Sequence, residues 1–146
     1  MAHDVFLSYS SKDKPAADVA CAMLERVGVR VWMAPRDLLP GMGWASSIVS
    51  AISNSQVLVL IFSSNANMSS QVEREVERAI NKGITILPFR LEATPPSAAL
   101  EYFLSTPHWL DGFPPPIEGH LEVLIKTVRQ LLDIKPAKQL KERENN

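Results

Sequence analysis

The sequence predicts a single α/β domain built on an open, doubly wound sheet of five parallel strands with helices on both faces. Its length of 146 residues suits one domain. Along the chain, short β-branched and aromatic runs alternate with stretches whose apolar residues recur every three or four positions. The run Val57 to Phe62 is apolar on successive rather than alternate residues, the pattern of a central parallel strand covered on both faces. A composition of 46% hydrophobic and 21% charged residues belongs to a globular chain and excludes general disorder.

Each element follows in order. Residues 3–9 (HDVFLSY) read as the first strand. In residues 10–28, Ala16, Val19, Ala20, Met23, Leu24 and Val27 form a helical stripe, with Asp13 and Pro15 in the first turn and Gly28 at the end. Val29 to Met33 (VRVWM) is the second strand, which completes a right-handed β-α-β unit. Residues 34–43 (APRDLLPGMG) have two prolines, two glycines and no periodicity, so they form a long loop, and such loops in compact domains are commonly functional. A helix follows near Trp44 to Asn54, and Gln56 to Ser63 is the central strand. From Ser70 the stretch SQVEREVERAINKG offers Ser70 and Glu73 as a capping box, a stripe of Val72, Val76, Ala79 and Ile80, and Gly83 as the stop. Ile84 to Leu91 is the fourth strand, weakened at Pro88. Residues 92–107 read as an irregular connection, and a short fifth strand lies around His108–Leu110. Leu121, Leu124, Ile125, Val128, Leu131 and Leu132 mark the last helix, so the domain spans residues 1–133 and residues 134–146 are expected to be a flexible tail or linker. Topology rules favour the flavodoxin-like strand order 2-1-3-4-5.

Several function classes are disfavoured at this stage. The charges nearly cancel, leaving −1, so composition gives no pull toward nucleic acid or anionic lipid. The longest apolar run is far short of the ~20 residues that span a bilayer, and the first residues lack the layout of a signal peptide, so a cytoplasmic location is expected. His3, His108 and His120 are dispersed, and no metal site is expected. Cys21, the single cysteine, has the flanks of a buried helical residue.

In an open α/β sheet, ligands bind beyond the carboxyl ends of the strands. That edge holds the loop from Ser8 to Asp13, the loop after the second strand and the start of the helix after the third. The first loop has no glycine, which excludes a dinucleotide-binding Rossmann turn, and Gly41-Met42-Gly43 is a partial match that turn geometry explains as well. The third strand ends in Phe62-Ser63, not the aspartate of a phospho-receiver domain. The hydroxyls of Ser8, Ser10 and Ser11 could cradle a flavin phosphate, although simple helix capping accounts for them. Projected at about 100° per residue, Gln71, Glu75 and Arg78 share one stripe bordering the apolar face of their helix. Glu75 therefore sits at the rim of the core near the ligand edge, where its ordinary alternative is a solvated or ion-paired residue.

These residues together resemble a Toll/interleukin-1 receptor (TIR) domain of the bacterial type. The resemblance is carried by His3-Asp-Val-Phe-Leu-Ser-Tyr-Ser with Lys12-Asp13, by the loop Ala34 to Gly43, and by Ser70-Gln-Val-Glu-Arg-Glu-Val with Ala79, and covers about residues 3–132. It implies one of two roles: cleavage of NAD+, or adaptor function through contacts between like domains. The family's catalytic glutamate lies in a Trp-x-x-x-Glu pattern, which falls here on Gln71 to Glu75, with Gln71 in place of the tryptophan. Glu75 is then the catalytic candidate, and either the aromatic wall beside the nicotinamide comes from Tyr9, Trp32 or Trp44 or the ring is held differently. Ser8, Tyr9, Ser10, Lys12, Arg36, Asp37, Trp44 and Gln71 are the substrate-binding candidates. Lys12 and Arg36 would meet the diphosphate, with ordinary surface charge as their alternative, and Trp32 and Trp44 have core filling and helix anchoring as theirs.

The expected activity is that of an NAD+ glycohydrolase or ADP-ribosyl cyclase in bacterial anti-phage signalling. NAD+ would be a substrate, with no separate cofactor. In assembled enzymes of the family the loop after the second strand packs on a neighbouring subunit, so self-association through TIR-TIR contacts is expected, with a fused or partner sensor domain as trigger. The alternatives are a non-catalytic adaptor or host-directed virulence module, and an N-glycoside-cleaving enzyme similar to nucleoside deoxyribosyltransferases.

Overall fold

The computed structural model describes residues 3–104 and 109–144, with side chains described as far as residue 133. The elements run β1 (Val5–Ser8), α1 (Lys14–Arg26), β2 (Val31–Trp32), α2 (Trp44–Ser53), β3 (Val57–Phe62), α3 (Ser64–Asn67), α4 (Ser70–Asn81), β4 (Thr85–Arg90), α5 (Ala98–Phe103), β5 (Leu110–Asp111) and α6 (Ile117–Glu144). The five strands form one parallel sheet in the order β2-β1-β3-β4-β5. This is the doubly wound, flavodoxin-like arrangement that the sequence predicts.

Strand alternation divides the core into two layers. Val5 and Leu7, Val57, Val59 and Ile61, and Leu87 and Phe89 face α1 and α6, where they meet Leu24, Leu121, Leu124 and Val128. Phe6, Leu58, Leu60, Phe62 and Ile86 face the opposite way onto Ile48 and Ile52 of α2 and Val72, Val76 and Ala79 of α4. All six residues of β3 are buried, as a strand paired on both edges and covered on both faces requires.

The structure corrects several local expectations. The buried stripe of α1 is Ala17, Ala20, Cys21 and Leu24, while Val19 and Val27 stand at the surface. The two stripes share Ala20 and Leu24, and a small rotation about the helix axis brings the small Ala17 and Cys21 toward the sheet. Helix α4 is capped one residue earlier than expected, with the Ser69 hydroxyl accepting from the Val72 amide at 3.1 Å. Its inner face holds Glu75, and Ile80 lies outside at 42% exposure. Two short helices occupy stretches without a predicted element, α3 between the third strand and the helix from Ser70 and α5 in the irregular connection; each has a serine cap, Ser63 and Ser97. The fifth strand is Leu110–Asp111, and His108 lies outside the described residues. The backbone of α6 continues to Glu144, past the last apolar position of its stripe and through Pro136. Gly28 and Gly83 adopt φ of +88° and +70° after α1 and α4, conformations that side-chain-bearing residues avoid. Among the described residues no helix is long and apolar enough to cross a membrane.

Candidate functional site

The carboxyl ends of β1 and β2 open into a cleft of about 410 Å³, walled by the loop after β1, the loop after β2, the first residue of α2 and the inner edge of α4. Three hydrogen-bonded ties hold these loops. Asp13, which ends a 3-10 turn after β1, accepts from the Ser63 hydroxyl and, at 3.0 Å, from the Asn65 amide, so the loops after β1 and β3 are joined. The Tyr9 hydroxyl donates to the Ala34 carbonyl and brings the loop after β2 against β1. Arg36 closes the third tie: its guanidinium donates to both Glu25 oxygens at 2.9 and 3.0 Å, to the Val31 carbonyl at 2.8 Å and to Asp37. Asp37 in turn accepts from the Met33 amide at 3.0 Å.

Glu75 stands at the inner end of the cleft and is only 7% exposed. The Ser8 hydroxyl, fully buried at the end of β1, donates to Glu75 Oε1 at 2.7 Å, and the Gln71 amide donates to Oε2 at 2.9 Å. The second bond exists because residues four apart share a helix face, the first because Ser8 follows Phe6 onto the α4 side of the sheet. Burial raises the Glu75 pKa above its ordinary value, and the bonds from Gln71 and Ser8 offset part of that rise. Among the described residues no lysine or arginine forms an ion pair with this carboxyl. A buried carboxylate with two neutral donors and no counter-ion is costly to the fold and available to a positive charge entering the cleft.

The structure brings Ser8, Tyr9, Ser10, Trp44, Gln71 and Glu75 together at this cleft. Ser10 also caps the 3-10 turn. Lys12, Arg36 and Asp37 do not line it. Lys12 is exposed on the turn, and Arg36 is committed to Glu25, Asp37 and Val31, an engagement that raises its pKa further. Arg36 and Asp37 therefore act as a staple for the loop after β2. Of the three aromatic candidates, Tyr9 and Trp44 face the cleft. Trp32 is in the core, stacked on Phe6 with ring centres 5.1 Å apart and planes 11° apart. Phe6, Leu7 and Ser69 line the cleft without having been candidates, and Ala34 and Pro35 were placed at the ligand edge only as part of their loop; a cap beside a predicted ligand edge was the one available signal for Ser69. Cys21 is buried, with its thiol pushed up to about 11 by burial, and is a core residue. Among the described residues no group of three His, Cys, Asp or Glu side chains is placed to hold a metal ion.

The family model for the TIR domain matches residues 5–124. The chain belongs to the TIR domain family. Solved TIR domains superpose closely on this one. The TIR domain of the Toll-related receptor TRR-2 from Hydra magnipapillata gives a TM-score of 0.72 at 22% identity, covering 88% of this chain and 99% of its own. The TIR domains of the activated Roq1 resistosome, which directly recognises the pathogen effector XopQ, give 0.72 at 16% identity, covering 87% and 99%. A metazoan TIR-STING receptor from C. gigas gives 0.66 at 19% identity, covering 86% of this chain and 40% of that receptor. No curated protein matches the sequence significantly. At these identities the likeness extends to the TIR fold, and the chemistry of this TIR domain has to be argued from its own cleft.

Proposed function

We propose that this TIR domain cleaves NAD+ and releases nicotinamide, as a glycohydrolase or an ADP-ribosyl cyclase. The observation that carries the reading is Glu75: a buried carboxyl with no ion-pair partner among the described residues, hydrogen-bonded by Ser8 and Gln71, at the inner end of a cleft open to solvent. Nicotinamide in NAD+ is already a cationic leaving group. When its bond to the ribose breaks, the electron pair departs with the neutral nicotinamide and needs no acid. Positive charge then develops on the ribose carbon and ring oxygen, and a carboxylate fixed nearby in a poorly solvated site stabilises it. Ser8 and Gln71 hold that carboxylate in place, which lowers the reorganisation needed during reaction. Water attacking the same carbon gives ADP-ribose and loses a proton to solvent; attack by an adenine nitrogen gives a cyclic product. Tyr9 and Trp44 supply aromatic surface for the nicotinamide where Gln71 replaces the family's tryptophan, and Ser10 offers a hydroxyl to the ribose or diphosphate.

Self-assembly fits as the trigger, because the loop after β2 is stapled by Arg36 and presents exposed Leu39 and Met42 beside Trp44. An immune setting is supported by the structural neighbours, among them a Toll-related receptor and an activated resistosome recognising a pathogen effector, and a cytoplasmic, anti-phage role is our own extension of it. The test is NAD+ consumption with product identification by chromatography, at high protein concentration with a crowding agent, for the wild type and Glu75→Ala. The expected outcome is turnover in the wild type and its loss in the folded variant; equal turnover in both removes Glu75 from the mechanism. The second reading is a non-catalytic adaptor, favoured by Gln71 at the tryptophan position and by the same exposed apolar patch. A stable complex of TIR domains that consumes no NAD+ even when assembled would establish it.

A further inference from the structure

A second concavity of about 360 Å³ adjoins the first, between α2 and α4. It shares Trp44, Gln71 and Glu75 with the first cleft, and its other walls are different residues. On the α2 side these are Ala45, Ile48, Val49 and Ile52; on the α4 side they are Arg74 and Arg78. The groove is therefore aliphatic along one wall and cationic along the other, with the half-exposed Trp44 indole at one end.

The cationic wall is unneutralised. Arg74 and Arg78 are four apart on one helix face, an arrangement of like charges that works against the helix. Among the described residues neither forms an ion pair, not even with Glu75, which lines the same groove and accepts from Ser8 and Gln71 instead. The Arg78 Nε is buried and has no hydrogen-bond partner, one of two such side-chain atoms among the described residues. A buried guanidinium nitrogen without an acceptor is a cost that an entering anion would remove. The volume falls within the roughly 300–1,000 Å³ of small-molecule pockets, and an apolar wall with a few convergent polar groups is their usual lining.

We infer that the α2–α4 groove is a binding site for a small aromatic anion, its ring lying against Ile48, Val49 and Trp44 and its carboxylate, sulfonate or phosphate group meeting Arg78 and Arg74. The site is independent of whether the first cleft cleaves NAD+. The shared wall of Trp44, Gln71 and Glu75 means that its occupant would also touch the residues that shape the first cleft.

The probes are 2-naphthalenesulfonate and its uncharged counterpart 2-naphthalenemethanol, titrated into the whole chain by calorimetry and followed by amide chemical shifts. The expected result is one sulfonate per chain, with shifts concentrated in α2 and α4. Arg78→Gln should weaken the sulfonate about ten-fold and leave the neutral probe unchanged, the signature of one lost charge-assisted contact. Ala45→Phe, at an exposed position where the added ring projects into the groove, should abolish both. No saturable binding, shifts outside α2 and α4, or equal sulfonate affinity in the wild type and Arg78→Gln would overturn the assignment. So would a concentration-dependent dimer that both substitutions dissolve while the probe does not bind, which would give the groove to a second copy of the chain.

Discussion

The two faces of the sheet are built from the same kinds of strand residue yet finished differently. On the α1 and α6 face the fully buried side chains among the described residues are apolar apart from the Cys21 thiol, which burial pushes up to about 11 and so keeps neutral. On the α2 and α4 face, beside the same β1, lie a buried carboxyl, a fully buried serine and the orphaned polar atoms of Ser47 and Arg78. Of the two cavities that Glu75 lines, one lies between α2 and α4 and the other opens at the carboxyl edge of the sheet beside them. One face supplies stability, and the other gives some of it up to keep polar groups in place.

The contrast can be broken first at Glu75. Glu75→Gln keeps the shape, and rotation of the Gln71 amide preserves both hydrogen bonds. NAD+ turnover is expected to fall by about 10²–10³ or more, the scale of losing one preorganised electrostatic group, with no loss of melting temperature. In the wild type the acid limb of kcat/KM should lie above the ordinary carboxyl value of 4.5, because burial raises the Glu75 pKa. The stability signature has a definite sign. A carboxyl whose pKa is higher folded than unfolded binds more protons in the folded state, so its contribution falls as pH rises above 4.5 and stays low beyond the folded pKa. Wild type minus Glu75→Gln stability, measured by urea unfolding across pH, should therefore decline through that window.

The opposite face should respond in the opposite sense. Leu24→Ala, at a fully buried position, is expected to cost about 2–5 kcal/mol in urea unfolding while each folded molecule keeps its turnover. A smaller effect is expected from Arg36→Gln. Its ion pairs are 43% exposed on the arginine side and contribute under about 1 kcal/mol, but without the staple, limited proteolysis should cut faster within residues 36–43. The smallest effect is at Cys21, where alkylation by iodoacetamide at pH 8 should be negligible in the folded chain, since a buried thiol titrating near 11 carries almost no thiolate there.

Much of this was legible in the sequence. The continuous apolar run of β3, the 3-4 spacings of α1 and α4, and Gly28 and Gly83 gave the elements and their alternation, because period and turn chemistry are local properties. The stripe Gln71, Glu75 and Arg78 was also correct as geometry. Less legible was which way α1 rolls, since Ala16 and Ala17 are equivalent in any local pattern and only the shape of the sheet beneath chooses Ala17. The short helices α3 and α5 lack enough residues for a period, and their serine caps are visible mainly in retrospect. Arg36 and Lys12 resemble phosphate ligands in sequence, and the position of Glu25, eleven residues earlier in the chain, turns Arg36 into a staple.

The sequence by itself determined the fold class and the placing of Glu75 at the border of a helix near the ligand edge; general topology rules only favoured the strand order, which the folded sheet established. Tertiary structure decided the state of that glutamate. Gln71 is a local donor four residues away, but the burial of Glu75 and its bond from Ser8, 67 residues away in the chain, exist only in the folded molecule. Local pattern fixes which face of an element a residue occupies. Only packing fixes what that face meets, and the charge state of a buried group is set by what it meets.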